Sequence, residues 1–274
     1  MDNSVDNPLF LWTTLWLTAK SRKKFVEKGN FSTNNLSVLR RNMFFVVEKK
    51  RLWIIFVIFM ILCIIGVTTY SLFCYTPARE FVVVIDAGHG GSDGGVKGIN
   101  SGISEAEINL LVAYNLKSIF EDNGIRVVLT RSGKSVLDGE SGTKQDDFNK
   151  RKKIILDTKP DAVVSIHQNK FPDSRRRGAQ VFFNPHSSDG KALAVAVQQK
   201  LNELNMEKVG RTFSALKGDY YLLNCSEYPS CIVECGFLSN TEDEKLLTDS
   251  EYRQLLSQSI ADGIYQYLVE RATI

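Results

Sequence analysis

Three apolar runs constrain this chain more than anything else in it. Val82-Val83-Val84-Ile85 leads into Asp86-Ala87-Gly88-His89-Gly90-Gly91, Ala162-Val163-Val164-Ser165-Ile166 ends in His167, and Cys231-Ile232-Val233 ends in Glu234. Short continuous runs of this kind read as strands buried on both faces. Each delivers an imidazole or a carboxylate at its C-terminal end, where open α/β sheets place their active sites. Helix and strand patterns alternate around them. Helices are expected over residues 105–122 (stopped by Gly124), about 143–158, about 188–204, 242–247 and about 251–271. Strands are expected over 82–86, 125–130, 162–167, 179–184, 220–224 and 231–234, with a polar loop over 132–142. This order predicts an α/β fold: a single, mostly parallel twisted sheet with helices on both faces.

The helix at 105 carries a sharper expectation. Ser104 is a good N-cap, and Glu107 three residues on would complete a capping box. That gives Glu107 a structural task and leaves Glu105 free. Ile108, Val112, Leu116 and Ile119 share the face of Glu105 by the 3.6-residue period. A carboxylate on a core-facing stripe needs a partner, because burying it alone is costly. Stabilisation by the helix N-terminus would be enough for Glu105 taken alone, and backbone hydrogen bonds would be enough for His89 or His167 alone. Together, two histidines and a glutamate at the mouths of one sheet make a three-ligand metal site of the kind catalytic zinc uses. Glu234 is then the expected general base and acid beside metal-bound water. The alternative for Glu234 is a carboxylate that orients a histidine. Asp86 and Asp93 are expected to order the glycine loop or to bond the imidazole. His186, in a turn sequence, is expected to be exposed.

Before this region, residues 52–78 hold no charge, and 52–67 are almost wholly apolar. With residues to 73 the run reaches the about 20 needed to cross a bilayer, so one transmembrane helix is expected ahead of the sheet. Lys49, Lys50 and Arg51 precede it, which keeps the N-terminus cytoplasmic and the rest of the chain outside. Residues 52–75 therefore read as a membrane anchor. A cleaved signal segment is the rival, disfavoured because its apolar core is usually only about 7–15 residues. Residues 1–51 read as a cytoplasmic tail, without its own fold over 1–42, or as a start placed too early, with Met43 the alternative start. Residues 1–51 carry a net +6, which leaves a mildly acidic remainder out of a total of +3. That balance argues against nucleic acid as a partner. The run Arg175-Arg176-Arg177 reads as a solvated loop in preference to a contact with an anionic wall polymer. Five cysteines without a Cys-x-x-Cys spacing do not indicate a thiolate zinc site. They read as small buried hydrophobes, with a Cys225–Cys231 bond as an unsupported alternative.

Four ordered blocks carry a resemblance: Ile85-Asp-Ala-Gly-His89-Gly-Gly-Ser-Asp-Gly-Gly95, Ser104-Glu105, Ser165-Ile-His167-Gln-Asn169 and Val233-Glu234-Cys-Gly-Phe-Leu-Ser-Asn240. From about Phe81 onward the chain resembles the zinc-dependent N-acetylmuramoyl-L-alanine amidases of the amidase-3 family. The resemblance implies a catalytic domain over 80–274, Zn2+ on His89, Glu105 and His167, and Glu234 as the catalytic glutamate. The implied substrate is peptidoglycan, cut at the amide between N-acetylmuramic acid and L-alanine. The family commonly has Pro where Ala87 stands and Ala where Gln168 stands; neither is a ligand. Asn169-Lys-Phe-Pro-Asp173, Tyr220-Tyr-Leu-Leu-Asn224 and the anchor are similar to the spore-cortex branch, whose action allows muramic-δ-lactam to form. The short 132–142 loop has no room for the autoinhibitory helix of some cell-division members, so control is expected from an activator protein or from timed expression. A general autolysin of the same chemistry, a cysteine hydrolase using Cys235 with His167, and a non-catalytic peptidoglycan-binding protein are the rival readings.

Overall fold

The computed structural model of the chain describes residues 33–74, 80–133 and 143–273. The expectations for residues 1–32 and for most of the 132–142 loop lie outside the described residues. The chain divides into two compact units, Met1–Ala78 and Arg79–Ile274. In the first, helix α1 (Thr33–Cys74) begins well before the apolar segment. No glycine or proline interrupts the sequence from Thr33 to Ile65, so nothing breaks the helix there. Residues 33–42, read as tail without its own fold, are thus the start of a helix. Within α1, Glu48–Tyr70 has a mean hydropathy of 2.8 and is long and apolar enough to cross a membrane. Its large apolar side chains, Leu52, Trp53, Ile55 and Phe59 among them, are exposed.

The second unit is built on a six-stranded sheet in the order β2-β1-β3-β6-β4-β5. The strands are β1 (Val82–Ala87), β2 (Arg126–Leu129), β3 (Ala162–Asn169), β4 (Gln180–Phe183), β5 (Leu216–Lys217) and β6 (Ser230–Phe237). Every neighbouring pair is parallel except β4 with β6, which is the mostly parallel sheet expected. The helices are α2 (Glu105–Asp122), α3 (Lys144–Thr158), α4 (Ser188–Val209), α5 (Tyr221–Asn224), α6 (Thr241–Thr248) and α7 (Ser250–Ala272). Ser104 Oγ accepts from the Glu107 N–H at 3.3 Å, the first half of the expected box. A complete box, unforeseen, starts α3 with Thr143 and Asp146.

Strand alternation sends side chains to two faces. Val83, Ile85, Val164, Ile166, Val233 and Cys235 enter the main core with Ile108, Val112 and Leu116 of α2 and Leu256, Ile260 and Ile264 of α7. Val84 and Val163 point the other way, to Ile155 of α3 and Leu222 of α5. Helices therefore cover both faces, and β1 and β3 are buried on both, which is why their sequences are apolar without alternation.

Two expectations need correction. Residues 220–224 are not a strand; Tyr221–Asn224 is a single helical turn. Leu222 and Leu223 are both buried. A half-covered strand sends consecutive side chains to opposite faces, whereas a helical turn buries both. The basic run is the expected solvated loop at Arg175 and Arg176, which are exposed, but not at Arg177. Arg175 pairs with Asp173 at 2.9 Å, and Arg176 lies 4.0 Å from the Phe171 ring centroid. Arg177 is half-buried, pairs with Asp243 at 3.3 Å and donates to the Lys208 carbonyl at 3.2 Å. Among the described residues Cys63, Cys225, Cys231 and Cys235 are free, and Cys231 and Cys235 are buried.

Helices α4 and α7 approach closely at Gly263, where an added Cβ would lie 2.5 Å from Val197 Cα and 2.9 Å from the Ala196 carbonyl oxygen. Backbone cannot swing aside as a side chain can. Gly263→Ala is expected to cost about 1–3 kcal/mol by overpacking, measured by denaturant unfolding of the full chain against the parent.

Candidate metal centre

The glycine turn after β1 places His89 at φ 59, a region that few non-glycine residues occupy. The Asp93 carboxylate lies 2.9 Å from His89 Nδ1, and its other oxygen accepts the Gly95 N–H at 3.0 Å. Asp93 thus does both things expected of an acid in this loop. With Nδ1 engaged, Nε2 is the free donor atom of His89, and it lies 3.2 Å from Glu105 Oε1.

Glu105 opens α2 and is 2% exposed, as the apolar stripe required. Its Oε2 accepts the Val96 N–H at 3.0 Å. Its Oε1 sits 3.0 Å from His167 Nδ1 and accepts the Gln168 N–H at 3.0 Å. That N–H faces the β1 side of β3, beyond the last pair of that ladder, Ala87 with Ile166. Burial alone would raise the Glu105 carboxyl, but hydrogen bonding to His167 and His89 outweighs it and holds the group well below the usual carboxylate range. The same contact with Glu105, against the opposing effect of burial, pushes His89 up to about 9.

His89, Glu105 and His167 each offer a ligand atom, all within 4.8 Å of one another. Donors bound at about 2.0–2.2 Å around one tetrahedral ion sit about 3.3 Å apart. The 3.2 Å and 3.0 Å separations about Glu105 Oε1 match that spacing. Two imidazole nitrogens and a carboxylate oxygen are also a donor set that zinc favours. The residues present fit such an ion.

Glu234 is the direct Cα partner of His167 across β3 and β6, so the two side chains leave the sheet on the same face. Its Oε2 is buried and has no hydrogen-bond partner among the described residues. Burial pushes its carboxyl up to about 7, with Glu105 adding to the rise and the two histidines opposing it. Cys235 points to the opposite face, into the main core, where burial pushes its thiol up. A buried, protonated thiol is a poor nucleophile, which removes the cysteine-hydrolase reading. His186 is exposed, as expected.

Asp86 does not reach the imidazole. It is 1% exposed, is paired with Arg151 and accepts from Thr130 Oγ1 at 2.7 Å and from Ser165 Oγ. Burial would raise its carboxyl, but Arg151 and the two hydroxyls bring it down to about 2. Sequence reasoning did not find Asn109, Arg131 or Arg151, which surround the same loop. Asn109 lies four residues after Glu105 and one turn along the same buried stripe; a polar residue there was the available signal.

The family model described as N-acetylmuramoyl-L-alanine amidase matches residues 83–266. The germination-specific N-acetylmuramoyl-L-alanine amidase of Bacillus subtilis (strain 168) is 30% identical over 200 residues, 71% of this chain and 83% of that protein. The CwlD amidase from Clostridioides difficile, solved in complex with the GerS lipoprotein, aligns with a TM-score of 0.64 at 35% identity, over 70% of this chain and 100% of that one. The catalytic domain of CwlV from Bacillus (Paenibacillus) polymyxa var. colistinus aligns with a TM-score of 0.60 at 31% identity, over 69% and 99% of the two chains.

Gly88 gives the centre a direct test. A Cβ there would lie 2.3 Å from His167 Nε2 and Cε1, so the ring must move. Gly88→Ala is expected to abolish stoichiometric metal uptake, measured by elemental analysis of the purified full chain; retention of one ion per chain would contradict the site.

Proposed function

Since the chain belongs to the N-acetylmuramoyl-L-alanine amidase family, we propose that its 80–274 catalytic domain holds Zn2+ on His89, Glu105 and His167 and uses Glu234 as the catalytic residue. The chain is an amidase of peptidoglycan, and its substrate lies outside the cytoplasm. The observation that carries the site assignment is the pairing of His167 with Glu234 across β3 and β6, with a partnerless carboxylate oxygen on the glutamate.

When bound, Zn2+ supplies a Lewis acid for the scissile carbonyl and acidifies a water. The residues of the chain do the rest. Asp93 holds His89 with Nε2 turned inward, and the Gln168 and Val96 N–H groups fix both oxygens of Glu105. Glu234, ionised, takes a proton from the attacking water on its unpartnered oxygen. It then returns that proton to the nitrogen of L-alanine as the amide breaks. A carboxyl that burial raises above its usual range suits both transfers.

The biological setting proposed is spore-cortex maturation, with muramic-δ-lactam formation downstream. The germination-specific relative and the CwlD neighbour support it. The exposed apolar stretch Glu48–Tyr70 supports a membrane anchor over residues 52–75, with the catalytic unit outside the membrane. The CwlD neighbour is solved with a lipoprotein, which supports an activator protein at the membrane surface as a partner here.

Mass spectrometry of peptidoglycan digested by the full chain, with and without added Zn2+, tests the reading. Free stem peptides beginning with L-alanine are expected only with the metal. Glu234→Gln is expected to keep one zinc per chain and to lose about 10²–10⁴-fold in kcat; unchanged turnover would remove Glu234 from the chemistry. The base must be ionised, so activity falls as protons are added. kcat/KM is expected to rise with pH in the window between the ordinary value of 4.5 and about 7, since a bound cation lowers the raised value. A flat profile from about pH 4 to 8 would contradict a carboxylate base.

A further inference from the structure

The backbone that carries His89 leaves the sheet after β1, and three consecutive carbonyls there need donors. All three receive them from two buried arginines. The Ala87 carbonyl accepts from Arg131 Nε at 2.8 Å and Arg151 Nη1 at 2.9 Å. The Gly88 carbonyl accepts from Arg131 Nη2 at 3.1 Å, and the His89 carbonyl accepts from Arg151 Nη2 at 2.7 Å. Arg131 is 4% exposed and Arg151 3%.

The same side chains reach the other ligand-bearing elements. Arg131 Nη2 also donates to the Ala106 carbonyl at 2.7 Å, in the first turn of α2 beside Glu105. Asn109, one turn on, donates to the Gly88 carbonyl at 3.0 Å and accepts from Gln168 Nε2 at 3.0 Å, next to His167. Arg151 is anchored from behind by Asp147 at 2.9 Å and by Asp86. Two guanidinium groups packed close together are an expensive way to fill an interior, where apolar groups of similar volume usually stabilise as well or better. What they supply instead is direction: a planar fork with five donors fixes several carbonyls at once, which an ammonium cannot do.

We infer that Arg131 and Arg151, with Asn109, are positioning residues that hold the His89 loop in register with Glu105 and His167 and so set how tightly the centre keeps its ion. The inference rests on the metal reading of those three ligands. Groups behind metal ligands commonly govern affinity by about 10–100-fold.

The test is the Zn2+ dissociation constant of the detergent-solubilised full chain, measured by competition with a chromophoric chelator, alongside thermal melts of the metal-free protein. Arg131→Lys and Arg151→Lys are each expected to weaken Zn2+ binding about 10–100-fold. Asn109→Ala is expected to weaken it less, in the same direction. Gly263→Ala, which crowds the α4–α7 contact away from the loop, is expected to lower the melting temperature and leave the zinc constant unchanged. Wild-type affinity in the folded lysine variants would overturn the inference. Should both fail to fold, Asn109→Ala decides it, and wild-type affinity there overturns it. An equal loss in Gly263→Ala would reduce the effect to general destabilisation and also overturn it. Failure of the parent chain to bind Zn2+ would overturn the metal reading itself, a separate result from a parent that binds and variants that bind equally well.

Discussion

The buried carboxylate of Glu105 is the contact on which the rest of the site depends. An ionised carboxylate cannot be left alone in an interior, where the cost after relaxation is still several kcal/mol. Here its two oxygens are answered by the Val96 N–H, the Gln168 N–H and the rings of His89 and His167. Those groups come from the segment before α2, from β3 and from the loop after β1. One side chain therefore fixes three separate pieces of backbone relative to one another. Its place at the first turn of α2 adds the favourable field of a helix N-terminus.

Strand alternation divides core packing from the candidate site within single strands. In β6, Val233 and Cys235 belong to the main core, while Glu234 between them leaves on the other face. In β3, Ile166 packs in the core and His167 leaves beside Glu234. A one-residue slip of β6 would drive the carboxylate into the main core and bring Cys235 to the site. Packing and chemistry thus demand the same register.

Much of this was legible in the chain. The β1, β3 and β6 runs were clear because strands buried on both faces have to be apolar throughout, and Glu105 was clear because the helical period and the Ser104 cap left it only one face. What failed did so for physical reasons. Tyr221–Asn224 was misread because four residues are too few to tell a period of 2 from one of 3.6. Arg177 was misread because its partner Asp243 is 66 positions away in sequence. Asp86 and Asp93 look equivalent in sequence, flanking one histidine. Only the direction of β1 decides that Asp86 faces Arg151 and Ser165 beneath the loop while Asp93 faces the ring. Arg131 and Arg151 gave no sign at all, since an arginine is ordinarily a surface residue and neither lies near a ligand in sequence.

The segments around α6 are fixed by the same kind of device. Helix α6 follows the strand that carries Glu234 and holds two buried acids in succession. Asp243 accepts the Gly178 N–H at 2.7 Å and the Phe237 N–H at 3.0 Å, tying the end of β6 to the segment before β4. Glu244 accepts the Ser101 N–H and the Ser101 hydroxyl, each at 2.7 Å, tying the same helix to the loop that leads into Glu105. Loops leave carbonyls and N–H groups outside any ladder, so a site built on loops has many such groups to satisfy. This fold satisfies them with buried charged side chains, each spanning two segments. Satisfied polar networks are directional where apolar packing is not. The buried charged side chains among the described residues, Asp86, Glu105, Arg131, Arg151, Asp243 and Glu244, gather around one end of one sheet, whereas neutral Gln198 and Asn205 satisfy the backbone beside β4; that division separates the part of the molecule that must hold a geometry from the part that only has to stay folded.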